Sequence, residues 1–128
     1  MALPPAVHSI VEFCFSVPDL AVARHFYESF GLDVRAEDGG LALYTVGHPH
    51  RWARIVAGET KQLLWLAFGI HATDRSAFED RLTACAVERI GAPPAADADG
   101  LWLRGPDDLP VQLRVAAKVG VAMYPHDG

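Results

Sequence analysis

The sequence predicts an α+β fold made of two similar strand–helix–strand units, and three observations carry that prediction. From Ile10 to Val34 an alternating segment runs into an amphipathic one: Phe13, Phe15 and Val17 alternate with Glu12, Cys14 and Ser16. Asp19 then opens a helix bearing Ala23, Phe26, Tyr27 and Phe30. The same order recurs in weaker form from Leu63 to Ile90, where Leu66, Phe68 and Ile70 alternate with Trp65, Ala67 and Gly69 before a helix bearing Phe78, Leu82 and Cys85. With 51% hydrophobic and 21% charged residues in 128, the composition is that of one ordinary globular domain. Function is then expected where the two units meet.

Taken in order, the periods predict a strand at about 10–17, a helix at about 20–30 stopped by Gly31, and strands at about 33–36 and 41–46. Glu37-Asp38-Gly39-Gly40 joins that pair as a hairpin turn, because glycine supplies the positive φ such connections need. A fourth strand is expected at about 52–56, and Gly58 to Gln62 turns the chain into the second unit. There the reading gives a strand at 63–70, a helix at about 75–86 and a short strand near 88–90. A Pro/Ala/Asp loop follows at 92–100, then a hairpin of 101–104 with 111–115 turned at Gly105-Pro106-Asp107-Asp108. The domain is expected over residues 8–116, with unit one at about 8–58 and unit two at about 62–116. Residues 117–128 are expected as a loose tail.

A net charge of −5 with only two lysines argues against nucleic acid, whose phosphates call for clustered Lys and Arg. No signal peptide and no apolar run of membrane-spanning length stand out, so no membrane contact and a cytoplasmic address are expected. Cys14 and Cys85 form no metal-site or disulfide pattern, and both read as buried reduced thiols.

Alternation divides the strand residues between two faces. Phe13, Phe15, Val17, Leu66, Phe68, Ile70, Val111, Leu113 and Val115 form the set that helices should cover. The opposite face carries Glu12, Cys14, Ser16, Trp52, Arg54, Val56, Trp65, Ala67, Gly69, Gln112 and Arg114, and is either solvated or a concave ligand surface. Gly69 weakens a strand and signals the close approach of another group. His48 and His50 flank Pro49 in a loop without a neighbouring Cys, Asp or Glu, and read as loop residues rather than metal ligands. His25 and His71 read as surface or loop residues, and His126 belongs to the tail. No Ser-His-Asp set, phosphate loop or paired-carboxylate motif is found.

Val17-Pro18-Asp19-Leu20, Phe26-Tyr27, Phe30-Gly31-Leu32, Gly100-Leu101-Trp102-Leu103 and Gly105-Pro106-Asp107-Asp108 together resemble the vicinal oxygen chelate superfamily of glyoxalases, bleomycin-resistance proteins and extradiol dioxygenases. The stretch Gly47-His48-Pro49-His50-Arg51-Trp52 followed by the strand at 63–70 is most similar to the N-terminal half of two-domain extradiol enzymes. The resemblance implies two βαβββ modules forming a curled eight-stranded mixed sheet with a central cleft and helices outside. It further implies metal positions at Glu12, Trp65, about Arg54 and Gln112, where an extradiol site would present two histidines and a carboxylate to Fe(II). Indole has no in-plane lone pair and guanidinium stays cationic, so this set is not expected to hold a metal.

The ligand-binding cleft is therefore assigned to Glu12, Cys14, Trp52, Arg54, Trp65, Trp102 and Gln112, with no catalytic residue and no cofactor. Glu12 and Arg54 either pair where a metal would sit or face water. The resemblance implies a metal-free, non-catalytic domain that forms a homodimer or pairs with a homologous catalytic domain. Two alternatives stay open: a bleomycin-resistance-type binder stacking a small aromatic molecule on its tryptophans, and a dioxygenase or lyase using Fe(II) or another divalent metal.

Overall fold

The computed structural model describes residues 6–117, which hold seven strands, two α-helices and two short 3-10 turns. They divide into two compact units, one of residues 12–66 and one of residues up to 11 together with 67 onward. Strands β1 (Ser9–Val17) and β5 (Gln62–Ile70) each run from one unit into the other.

In the unit of residues 12–66, β1 leads into α1 (Leu20–Ser29), β2 (Leu32–Glu37), β3 (Gly40–Thr45) and β4 (Ala53–Ala57). Asp19 fixes where α1 begins: with extended backbone, its Oδ1 accepts from the N–H of Ala21 at 2.9 Å and of Val22 at 3.1 Å. Those donors have no partner inside a helix, and such a cap stabilises by about 1 kcal/mol. Gly31, at φ +99°, ends the helix as expected. The strand order is β2-β3-β4-β1-β5, with β2/β3 and β3/β4 antiparallel and β1/β4 parallel, Phe13 facing Ala53 and Phe15 facing Ile55. Phe15, Val17, Ala23, Val34, Leu43 and Ile55 form its apolar core. Gly39 turns the β2–β3 hairpin at φ +78°. Of the apolar positions expected to seat α1, Ala23 is buried and Tyr27 half-buried, whereas Phe26 and Phe30 stay 58% and 60% exposed.

The other unit holds the end of β5, α2 (Arg75–Ala84), β6 (Leu101–Arg104) and β7 (Pro110–Val115), with β7 between β5 and β6. Ile70, Phe78, Leu101, Leu103 and Leu113 are its core. Residues 88–90 were expected as an eighth strand; they make one isolated bridge, Arg89 to Leu103. The hydrogen bonds Ile90 N to Trp102 O and Arg104 N to Glu88 O close that bridge. Beyond it Gly91 and then Pro93-Pro94, which carry no N–H, end any ladder. Seven strands, not eight, are present among the described residues. The second helix is also shorter than its pattern suggested, because Ala86 takes a left-handed φ of +56°. Cys85 thus becomes the helix-ending residue and is exposed, contrary to the buried thiol expected. Residues 118–128, which include His126 and all but the first residue of the expected tail, lie outside the described residues.

The two strand faces are also not as expected. Glu12, Cys14, Ser16, Trp65, Ala67 and Gln112 are among the most buried residues of the chain, while Val115 of the supposed helix-covered face is exposed. Ser16 is satisfied there by donating from Oγ to Thr60 O at 2.8 Å. Burial of this face rules out the solvated alternative, since each of its polar groups needs a partner of its own.

At Gly40 a side chain has no room: its Cβ would collide with the carbonyl oxygen of Ile55 on the paired strand β4. Gly40→Ala should therefore destabilise the protein by about 1–3 kcal/mol, read as a lowered urea midpoint at unchanged slope.

Candidate functional site

The parallel pairing of β1 with β4 sets Cys14 beside Arg54, and alternation puts Glu12 on the same face as Cys14. Glu12 is 1% exposed, and its Oε2 accepts from Arg54 Nε at 3.2 Å and from Arg51 Nε at 2.6 Å. Arg51 Nη1 in turn donates to both carboxylate oxygens of Glu37, at 3.2 and 3.1 Å. The result is a chain of alternating charge, Arg54–Glu12–Arg51–Glu37. Burial works against the Arg51 charge, but hydrogen bonds and charges from Glu12 and Glu37 outweigh it and raise the Arg51 pKa. The Arg54 guanidinium also lies 6.0 Å from the centre of the Trp65 ring, at the outer reach of a cation–π contact.

Cys14 sits within this network. Burial pushes its thiol up to about 11, with Arg54 favouring the thiolate and Glu12 opposing it. The neutral thiol is the stable form and the group is a poor nucleophile.

The expected site residues thus fall into two sets. Glu12, Cys14, Arg54 and Trp65 come together in the unit of residues 12–66, and Trp52 precedes β4, its carbonyl accepting from Phe13 N at 3.2 Å. Trp102 and Gln112 face each other across β6 and β7 in the other unit. Gln112 is fully buried, donating from Nε2 to Asp99 O and accepting at Oε1 from Arg114 Nε and Nη2 at 3.0 and 2.8 Å. Trp102 Nε1 donates to Asp97 O at 2.8 Å. Gly100, at φ +81°, lets the loop pass this close, since a Cβ there would stand 2.5 Å from Leu113 O.

Arg51 and Glu37 were not anticipated. Arg51 lies in the loop before β4, where no period assigns a face, and Glu37 was read as part of a turn. The only signal was the charged residue immediately before Trp52, at the end of the Gly47–Trp52 stretch already singled out. The histidines behave as loop residues: His48 Nδ1 accepts from His50 N at 3.0 Å, and the His50 ring meets the Trp52 ring edge-on at 4.4 Å. The approach that Gly69 signalled is made by His8, whose Cε1 would lie 2.6 Å from a Cβ at that position. His8 Nε2 is held 2.8 Å from Ala116 O and Nδ1 2.7 Å from Ser9 Oγ.

A divalent metal does not fit the residues at the positions that the resemblance implies. The Glu12 carboxylate is shared by two guanidiniums, Arg54 is itself a cation, the indole of Trp65 has no lone pair to give, and Gln112 already uses both ends of its amide. The arrangement can neutralise a buried carboxylate and hold two strands and a loop together. It offers neither the free imidazoles nor the open carboxylate that iron ligation requires.

Comparison with known proteins finds likenesses among ring-cleaving dioxygenases. Over 113 residues the chain is 35% identical to metapyrocatechase 2 of Cupriavidus necator, covering 88% of this chain and 35% of that enzyme. In structure it is similar to an extradiol ring-cleaving dioxygenase from B. fuscum, with a TM-score of 0.68 and 22% identity over 90% of this chain and 34% of the other. It is similar also to BphC, a halotolerant catechol dioxygenase, with a TM-score of 0.70 and 18% identity over 88% of this chain and 41% of the other. No family model matches the sequence. The chain therefore has the fold of extradiol dioxygenase domains of the vicinal oxygen chelate superfamily and spans about a third of the length of the relative it matches in sequence.

Glu12→Gln leaves two guanidiniums facing a neutral amide and should cost about 3 kcal/mol, measured by urea unfolding. Thiol reagents at pH 8 should label Cys85 in the folded protein and reach Cys14 only after denaturation. Because the Cys14 pKa is raised in the folded state, the unfolded chain loses that proton first as pH rises. Stability should accordingly fall between pH 9 and about 11, and replacing Cys14 by Ala should remove that slope.

Proposed function

We propose that this chain is a metal-free, non-catalytic domain of the extradiol dioxygenase type, equivalent in role to the N-terminal half of a two-domain ring-cleaving enzyme. The observation that carries this reading is the pairing of Glu12 with both Arg51 and Arg54: the one carboxylate at an expected ligand position already faces two cations that belong to the chain. An iron site would need ligands with open positions beside them; here the residues bind each other, and their work is to hold β1, β4 and the end of β2 in place.

The partner in this reading is a homologous catalytic domain or a second copy of the chain, acting in the cytoplasm. The chain aligns with 35% of the length of metapyrocatechase 2. No described helix is long and apolar enough to cross a membrane. The bleomycin-resistance-type alternative has less behind it, because Trp65 and Trp102 are 0% and 3% exposed and only Trp52 keeps part of its ring surface for stacking.

The purified chain, incubated with Fe(II) and catechol, should produce no ring-cleaved product by absorbance and should retain iron well below one equivalent after desalting. A stoichiometric iron that is lost in Glu12→Gln would overturn the proposal.

A further inference from the structure

The unit of residues 12–66 carries a second place of interest, away from the Glu12 network. Two hollows, of about 390 and 460 Å³, share Tyr27 and Lys61 in their walls. Val17, Pro18, Val22 and Phe26 line the first, and Phe13, Phe15 and Leu63 the second. We infer that this groove beside α1 binds a small aryl carboxylate, its ring among Phe13, Tyr27 and Phe26 and its carboxylate on the Lys61 ammonium.

Three features select that class of ligand. The walls are an unbroken run of rings: Phe13 stacks on Phe15 at 5.9 Å, Phe15 meets Tyr27 edge-on at 6.2 Å, and Tyr27 meets Phe26 edge-on at 5.1 Å. One more ring extends such a series by the same offset or edge contacts, which an alkyl chain does not make. Val22 and Phe26 stay exposed at 64% and 58% although they lie on the helix that caps the unit's core, and such a patch is unfavourable unless something covers it.

The second feature is charge. Lys61 is one of only two lysines in a chain of net charge −5, and its ammonium has no ion pair or hydrogen bond among the described residues. The other charged group in the wall, Asp19, turns its Oδ1 toward the N–H groups of Ala21 and Val22 and so is committed to the helix. A single ammonium, without an arginine fork or a nest of N–H groups, suits a monoanionic carboxylate better than a phosphate. The third feature is size: hollows of this volume lie at the lower end of small-molecule pockets and admit one ring with a short acid arm. None of this depends on whether the chain carries metal chemistry, since no residue of the groove belongs to the Glu12 network.

The test is a ¹⁵N NMR titration of the full chain with 3-phenylpropionate and, in parallel, its amide. The acid should shift the amides of residues 22–27 and 61–63, and the uncharged amide should bind about tenfold more weakly. Lys61→Met, at a surface position, should bring the acid down to the affinity of the amide while leaving the rest of the spectrum unchanged. Phe26→Ser should weaken both probes. Equal affinity for acid and amide, or shifts confined to other residues, would overturn the inference. So would sedimentation of the unliganded chain as a dimer that Phe26→Ser converts to monomer, because the groove would then be covered by a second copy.

Discussion

A carboxylate taken out of water must find positive charge, and the unit of residues 12–66 is arranged around that demand at Glu12. Alternation along β1 turns Glu12 to the same face as Cys14, where it has almost no exposed surface. The parallel partner β4 brings Arg54 alongside, and the loop before β4 brings Arg51. Arg51 requires a second anion to offset its own burial, and Glu37 at the end of β2 provides it. One buried charge thus ties together two strands, a loop and a hairpin. Such a network contributes less to net stability than to uniqueness of register: a slip of β4 by one residue would withdraw Arg54 and leave Glu12 with half its compensation.

The unit of residues 67 onward meets the same kind of demand with a neutral group. Gln112 occupies its strand as a buried amide whose donor and acceptor are both engaged, by the Asp99 carbonyl and the Arg114 guanidinium. An amide costs less to bury than a carboxylate, so one arginine suffices where Glu12 uses two. A loop and a glycine, Asp97 to Gly100, complete the constraint there.

The repeated strand–helix order, the hairpin at Gly39 and the helix start at Asp19 were legible because each is a local property of a few adjacent residues. So was the shared face of Glu12 and Arg54, since strand periodicity carries side chains to a face without reference to the rest of the chain, although it leaves open whether they pair or face water. Arg51 was not legible, because loops have no period and its partners lie in β1 and β2. The burial of the Glu12 face was misjudged for a related reason: alternation says which residues share a face but not which face is covered. The eighth strand and the last turn of α2 failed on backbone conformation. Ala86 in the left-handed region and the pair Pro93-Pro94 interrupt patterns that hydrophobicity alone would continue.

A face that has satisfied its charges internally has little to offer a ligand. Glu12, Ser16, Arg51 and Gln112 each already hold a hydrogen bond to another part of the chain, so an incoming molecule would compete with partners in place. Recognition gains most where a group is already solvated and unmatched, since little is lost when it changes partner. In the unit of residues 12–66 that condition holds beside α1, where Lys61 and the ring of Phe26 meet water. Pairing Glu12 with Arg51 and Arg54 thus engages the buried face internally, while on the flank of the helix Lys61 and Phe26 stay solvated.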